Sequence, residues 1–405
     1  MQVTRYNTPL WAAQASFEER SNLSDGQNVV RPTFAKFYAD DYTRGSDMTE
    51  QGYTMGTETL SVTSIPAILS RVDDFDELQS NYNLQGRVAK DGMRAINEKI
   101  DAEYCAQVTN ATHSIDAGDV GGTAGSAIVL DETNILKVFA AAARKLHESN
   151  VDLTGMEDPR VQAGNMKPGG KGGFANLPPT ANELLALSLS GRETVNGDQM
   201  GKSGYVRTYF GFDVYVTNSG YWVGVLGMAT NPTDGDTIVI NGVTLTFKAT
   251  LGTTAGNVHI CSDADATRLN LATFLTTPGT SIAEATDTGA VALSAADQAK
   301  LKRMTFTDSA SANTLTVAAK GYGHVVVSET FTDATDAWTS ETSYMMFGVK
   351  GAVDLVMQDQ IKVKFSDIPK QHGVYIKPRA LYGLKTFTEG ADQLVSVEVN
   401  TASWS

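Results

Sequence analysis

From about Asn81 to Gln107 apolar positions return every four residues, at Leu84, Val88, Gly92, Ile96, Ile100 and Tyr104. Opposite charges pair at i,i+4 on the other side: Arg87 with Asp91, Arg94 with Glu98, Lys99 with Glu103. That pattern predicts one long amphipathic helix, about 36 Å from end to end, a strut rather than a core helix. A second helix starts at an Asp131 or Thr133 cap and turns Ile135, Phe139, Ala142 and Leu146 to one side. Ahead of the strut the period is two. Val, Phe, Tyr and Thr cluster near 29–38 and again near 53–64, around a polar, glycine-containing middle, which predicts a two-stranded ribbon with a wide tip. Such a ribbon has too little core to stand alone, so it leans on a neighbour. The first thirty or so residues, polar with scattered aromatics, read as an arm.

Further along, "NELLALSLS" reads as a short helix, "SGYVRTYFGFDVYVTNS" as a strand pair and "GVKGAVDLVMQ" as a helix. The segments "GVYIKPRALYGLKTF" and "QLVSVEV" read as strands around a turn at Glu389 and Gly390. Between the halves of what looks like one domain sits a Thr, Ala and Gly-rich β-type block, 229–341, which includes "DTIVINGVTLTFKA" and ends near "TFTDATDAWTSE". A guest of that size is accepted at an exposed loop whose two ends lie close together, so the host is completed only beyond residue 341.

Composition narrows the function. At 405 residues and 41% hydrophobic the chain can bury full cores, and its length suggests two or three domains. A formal net charge of −14 argues against wrapping DNA or an anionic membrane, which need a basic face. Cys105 and Cys261 are far apart and outside any C-x-x-C pair, so two free thiols in a reducing compartment are expected. There is no apolar run near 18 residues and no signal-peptide pattern at the start.

Candidate chemistry is sparse. "GDQMGKS", 197–203, is one residue short of a phosphate-binding loop and runs into a strand pattern, not a helix. The segment 155–180, with the glycine and proline clusters of "MKPGGKGGFANLPP", reads as a surface loop, and "KPGGKGG", 167–173, within it as a mobile one. His259, Cys261 and Asp263 alternate in "HICSDAD", but the simpler reading ends a strand at Cys261 and caps a helix with Ser262 or Asp263. His113, His147, His324 and His372 stand alone. The acidic run from Asp73 to Glu77 reads as a solvated helix start, its carboxylates matching the positive end of the helix dipole. No catalytic residue, metal ligand or cofactor site is assigned, and no enzymatic activity is expected. In the ribbon, Arg31, Lys36 and Arg44 are interleaved with Asp40, Asp41, Asp47 and Glu50, a mixed surface that suits a protein partner better than nucleic acid.

The ordered set of arm, ribbon ("DDYTRGSDMTEQGYTMGTETLSV"), strut ("EKIDAEYCAQVTNA"), "GYVRTYFGFDVYVTNS", "FGVKGAVDLVMQ" and "ALYGLKTFTEGADQLVSVEV" resembles major capsid proteins of tailed bacteriophages with the HK97-like fold. The place of the guest block resembles that of the inserted domain in phage P22-like coat proteins. The resemblance implies an α+β fold with an N-terminal arm (1–27), an E-loop (28–61), a P-domain with its spine helix (62–118), a region mainly of A-domain (119–228), the inserted β-rich domain (229–341) and a segment completing both host domains (342–405). It also implies hexamers and pentamers closing an icosahedral shell around double-stranded DNA without sequence-specific binding, assembled in the bacterial host cytoplasm and found in the virion. Arg31, Lys36, Asp40, Asp41, Arg44, Asp47 and Glu50 are then inter-subunit contacts. Some relatives crosslink through a Lys and an Asn; no such pair is matched here, and Lys36 is given no such role. Nothing ahead of the arm serves as a fused scaffold, so a separate scaffolding protein or none is expected, together with a portal and room for a decoration protein. Other readings share the composition: a tail-tube or decoration protein, a secreted adhesion protein, or a hydrolase with a dispersed site.

Overall fold

A computed structural model of the chain describes residues 9–17, 26–34, 37–45, 47–48, 50–52, 55–80, 82–151, 153, 172–190, 208–277, 291–333, 335–369 and 371–404. The glycine-containing stretches 197–203 and 167–171, and Lys36, lie outside the described residues. In chain order the elements are α1 (Trp11–Gln14), β1 (Asn28–Phe34), β2 (Met55–Ser61), β3 (Ser70–Val72), α2 (Asp74–Gln79), α3 (Leu84–Ala106), β4 (His113–Ile115), α4 (Ala117–Val120), α5 (Ile135–Glu148), β5 (Gly173–Leu177) and α6 (Pro179–Ser190). There follow β6 (Thr208–Tyr209), β7 (Phe212–Val216), β8 (Tyr221–Gly227), β9 (Thr237–Ile240), β10 (Val243–Lys248), β11 (Asn257–His259), α7 (Ala264–Thr276) and α8 (Ala295–Leu301). The last are β12 (Met304–Ser309), β13 (Thr314–Lys320), β14 (Val327–Glu329), β15 (Ala337–Val349), β16 (Asp354–Asp367), β17 (Val374–Lys385), α9 (Thr388–Ala391) and β18 (Leu394–Asn400).

Two compact units emerge, one of residues 12–99 and 351–391, the other of 1–11, 100–350 and 392–405. In the first, β1 and β2 form the expected ribbon, and β16, β17 and β3 form an antiparallel sheet in that order. One side of this sheet, through Val72, Val363 and Ile376, packs on Leu84, Val88 and Ala89 of α3. Gly92 explains how close helix and strand come: a Cβ there would lie 2.4 Å from Cγ of Pro378, so a larger residue would push the two apart. The strut is one helix of 23 residues, with the Arg87 to Asp91 pair at 3.8 Å. Its start is held by the Asn83 side chain, which accepts from the Gly86 amide at 2.6 Å.

The second unit is built on a nine-stranded sheet whose axis is the 13-residue β15. Along one edge β15 pairs first with β8 and then with β5; along the other it pairs with β18. Val395, Val397 and Val399 of β18 and Met345 and Phe347 of β15 face Ile135, Phe139, Ala142 and Leu146 of α5. These are the four α5 residues that the helical period had selected. Phe139 meets Phe347 and Phe212 edge to face at 5.0 and 6.2 Å.

The block 229–341 has a second hydrophobic cluster, from Ile238, Ile240, Leu245, Phe247, Leu271, Phe274, Leu315 and Val317. That cluster also takes in Trp222 and Leu226 of β8. The hairpin β12–β13 adds to β8 over Thr314–Lys320, so the nine-stranded sheet runs unbroken into the block. Its two ends meet where Gly227 pairs with Ala337, and the buried Asp336 accepts from the amides of Ala229 and Thr230 and the Thr230 hydroxyl, the first at 2.7 Å. Asp263 caps α7 through the Ala266 amide at 2.8 Å, and β11 ends at His259. Arg268 of α7 is fully buried, held by Asp308, by Asp265 at 2.6 Å and by the Met228 carbonyl at 2.9 Å.

Two expected elements are corrected. The surface loop expected over 155–180 contains β5, Gly173–Leu177, buried at every position and paired between β15 and β7; a strand covered on both faces carries no alternation to announce it. "GVKGAVDLVMQ" is not helical: it is the end of β15, a turn and the start of β16. Gly351 at φ +95° turns the chain there, in a region closed to a helix of L residues. Ala352, Val353, Leu355, Val356 and Met357 are all buried, and a segment buried on both faces has a continuous apolar run in place of alternation. The run's spacing then imitates a helix.

Candidate assembly surface

The ribbon's root is a small apolar contact. Val29 and Leu60 point inward, join Val62, Val356 and Phe387, and leave Val30 outside. Antiparallel pairing from Asn28 with Ser61 to Phe34 with Met55 sets Arg31 opposite Glu58. Neither uses the other as its main partner. The Arg31 guanidinium lies 2.5 Å from Glu389 and 3.9 Å from Asp354, over the Phe387 ring at 5.2 Å. Glu58 accepts from the Thr388 hydroxyl and, at 3.2 Å, from its amide. The Thr388 hydroxyl does most to hold the Glu58 carboxyl below its ordinary value, with Lys385 and Arg31 adding to it against the cost of burial. Lys385 donates to the Thr59 carbonyl at 2.8 Å and lies 5.3 Å from the Phe387 ring centre. Arg31, selected from sequence as part of a protein-facing surface, is thus engaged with its own chain.

Beyond the root the described residues carry no further strand pairing. Asp40, Asp41, Arg44, Asp47 and Glu50 are all exposed. So are Phe37, Tyr38, Tyr42 and Met48, the last at 78%. Gln51 ties the two sides together, accepting from the Tyr38 amide at 3.0 Å and donating to its carbonyl at 2.5 Å. The tip therefore presents four carboxylates, one guanidinium and four large apolar side chains to its surroundings. Such a density of exposed aromatic and apolar groups is uncommon on a free protein surface.

Glu58, Lys385, Thr388 and Glu389 escaped the reading of the sequence. Thr388 is 330 residues from Glu58, and no local pattern announces such a contact. The contacts made by residues 10–16 escaped that reading too. Asp101, 1% exposed, accepts from the amides of Leu10 and Trp11 at 2.7 and 3.3 Å. Ser16 bridges to the start of β16 through Val353 and Leu355 at 2.8 and 2.9 Å.

The acidic run near Asp73 is a helix start, with Asp73 accepting from the Phe75 amide at 3.0 Å. Among the described residues no group of three His, Cys, Asp or Glu is placed to hold a metal. Both cysteines are buried and outside any disulfide. A cavity lined by Cys105, Asn176, Thr217, Ser219 and Ser343 measures about 10 Å³, room for one water. No described helix is long and apolar enough to cross a membrane.

No protein-family model matches the sequence, and no curated protein does. Solved structures do. A structure from Mycobacterium phage Che8 aligns over 98% of this chain and 93% of that one, with TM-score 0.53 at 12% identity. The capsid of the cyanophage P-SCSP1u aligns over 98% and 89%, with TM-score 0.51 at 10% identity. The chain thus shares its mixed α+β fold with solved phage capsid structures.

Proposed function

We propose that this chain is the major capsid protein of a tailed bacteriophage, with the HK97-like arrangement of arm (1–27), E-loop (28–61), P-domain (62–118), A-domain (chiefly 119–228), insertion (229–341) and closing segment (342–405). The observation that carries the reading is a likeness to a phage capsid over 98% of the chain. A ribbon rooted on its own subunit, with an exposed acidic and aromatic tip, supports it: such a tip gains a covered face only from another molecule. Many copies tile a closed surface, and modest contacts repeated at every neighbour add to a stable shell. The net charge of −14 keeps the wall from gripping the enclosed double-stranded DNA. Scaffolding and portal proteins are the partners expected during assembly, and the insertion faces outward, where a decoration protein has access. The protein acts without catalysis.

Sedimentation of the purified chain, alone and with its scaffolding protein, tests the reading. Capsomers or larger particles are expected in the pellet. A strictly monomeric species at high concentration in both conditions contradicts it.

A further inference from the structure

Beyond β18 the chain turns back on the strands it has just joined. Thr401 is fully buried: its amide and hydroxyl donate to the Glu341 carbonyl at 2.8 and 3.2 Å, and its hydroxyl accepts from the Trp222 indole at 3.1 Å. Three residues on, the Trp404 amide donates to the Thr401 carbonyl at 2.9 Å, and the Trp404 ring packs against the cluster that includes Phe139 and Phe347. The same ring meets His324 at 6.0 Å between centres, with the planes 68° apart. His324 lies in the connection between β13 and β14, which is itself fixed. The Gly323 amide donates to the Asn218 carbonyl and the Gly323 carbonyl accepts from the Ser343 hydroxyl, both at 2.7 Å. The imidazole is half-buried, and its Nε2 is shut off from water without a hydrogen-bond partner. In the neutral ring Nε2 can stay a bare lone pair, with the proton on Nδ1. A second proton would bring a charge and an N–H that has no acceptor. Burial accordingly holds the imidazole below its ordinary value. Attraction of an imidazolium to the Trp404 ring would act the other way, but at 6.0 Å it is at the limit of its reach. The surroundings offer no other relief. The 401–404 segment and the turn 217–220 carry no charged side chain. Tyr221 of β8 and Glu341 and Tyr344 of β15 are each pushed toward the neutral form by burial, and among the described residues no acid is paired with His324.

We propose that His324 and Trp404 form a proton-operated latch: the neutral imidazole holds residues 402–404 against the β13–β14 connection, and its protonation releases Trp404. Thr401 stays in place, because its partners, a backbone carbonyl and an indole, do not titrate. The movement is therefore confined to the residues after it. A histidine whose folded value is lowered favours the fold while it is neutral, so the latch is closed above the unfolded value, about 6.5, and opens as pH falls below it toward the lower folded value. The latch belongs to one chain and stands whether or not that chain assembles.

Tryptophan emission and amide exchange of the full-length chain, followed from about pH 7.5 to about pH 5, test the latch. Trp11, Trp222 and Trp338 also emit, so the Trp404 signal is the difference between the original chain and Trp404→Phe. That difference should move to longer wavelength on acidification and return on neutralisation, with far-ultraviolet circular dichroism unchanged. After correction for the pH dependence of the exchange chemistry, the Trp404 amide should exchange about tenfold faster at the lower pH. His324→Phe keeps a ring against Trp404 that cannot titrate, and His324→Gln replaces it with a smaller neutral group. Both should make the Trp404 signal independent of pH, and if circular dichroism shows one of them unfolded, the other decides. Glu341→Gln removes the carboxyl beside the Thr401 anchor and should keep the transition. An unchanging Trp404 signal in the original chain overturns the latch, as does a shift accompanied by general loss of circular dichroism. The same transition in the folded His324 variants, or its loss in Glu341→Gln, also overturns it and moves the titrating group elsewhere.

Discussion

Glu58 shows how one side chain ties a ribbon to its subunit. Because its carboxyl is held below the ordinary value by the Thr388 hydroxyl, with Lys385 and Arg31 adding, the stabilisation is present above the unfolded value, about 4.3, and is lost as pH falls through the lower folded value. Amide exchange in β1 and β2 should therefore quicken in acid. In Glu58→Gln it should already be faster at neutral pH and change little on acidification; a pH profile identical to the original would assign the root's stability to Val29 and Leu60 alone. Asp336 does a comparable task for the insertion. Asp336→Ala leaves the Ala229 and Thr230 amides without their acceptor and should cost about 2–3 kcal/mol, read as a lower melting temperature. Local chemistry of this kind is only partly visible in a sequence. The helix starts at Asp73 and Asp263 were legible because each carboxylate serves an amide within three residues, whereas the α5 cap expected at Asp131 or Thr133 falls at Asn134, with Asp131 accepting from the Thr133 and Asn134 amides. Glu58 with Thr388 and Asp336 with Ala229 are separated by 330 and 107 residues, and only the fold brings them together.

Among the elements, the helices α3 and α5 and the ribbon announced themselves, because each buries one face and exposes the other, which imprints a period on the chain. The turn into β16 did not, since burial on both faces erases the period. Nor did the order of the nine-stranded sheet, in which β15 pairs with strands from three distant parts of the chain. The insertion illustrates the same limit. Its polar, Thr-rich strands marked a block at 229–341, but its core extends to Trp222 and Leu226, and β13 uses β8 as its partner. A fragment of residues 229–341 alone should therefore unfold at low temperature or without cooperativity, whereas one of residues 221–344, which keeps β8 and its pairing with β15, should be soluble and unfold in one step. Cooperative unfolding of the shorter fragment would show that β8 is dispensable. For the ribbon, replacing Asp41–Gln51 by a short glycine turn removes the exposed tip and leaves the root at Val29 and Leu60. The subunit should melt as before and fail to close shells; normal assembly would take the tip out of the inter-subunit contact.

For the molecule as a whole, the proposed capsid role assigns the function of this acidic chain to surfaces repeated from copy to copy. On that proposal the rooted ribbon and the sheet that runs into the 229–341 block belong to each repeating copy. The charge balance has a consequence for conditions. If acidic and basic patches join neighbouring copies, assembly should weaken as salt rises from about 0.05 to 0.5 M, because exposed charges are screened over ever shorter distances. Light scattering against salt concentration checks this, and a flat or rising profile would point to apolar contacts as the main link. The most direct measurement is negative-stain microscopy of the purified full-length chain, alone and with its scaffolding protein. The account predicts closed shells, or curved polyhedral sheets built from ring-shaped capsomers. Regular tubes, or only dispersed monomers at high concentration in both preparations, would contradict it.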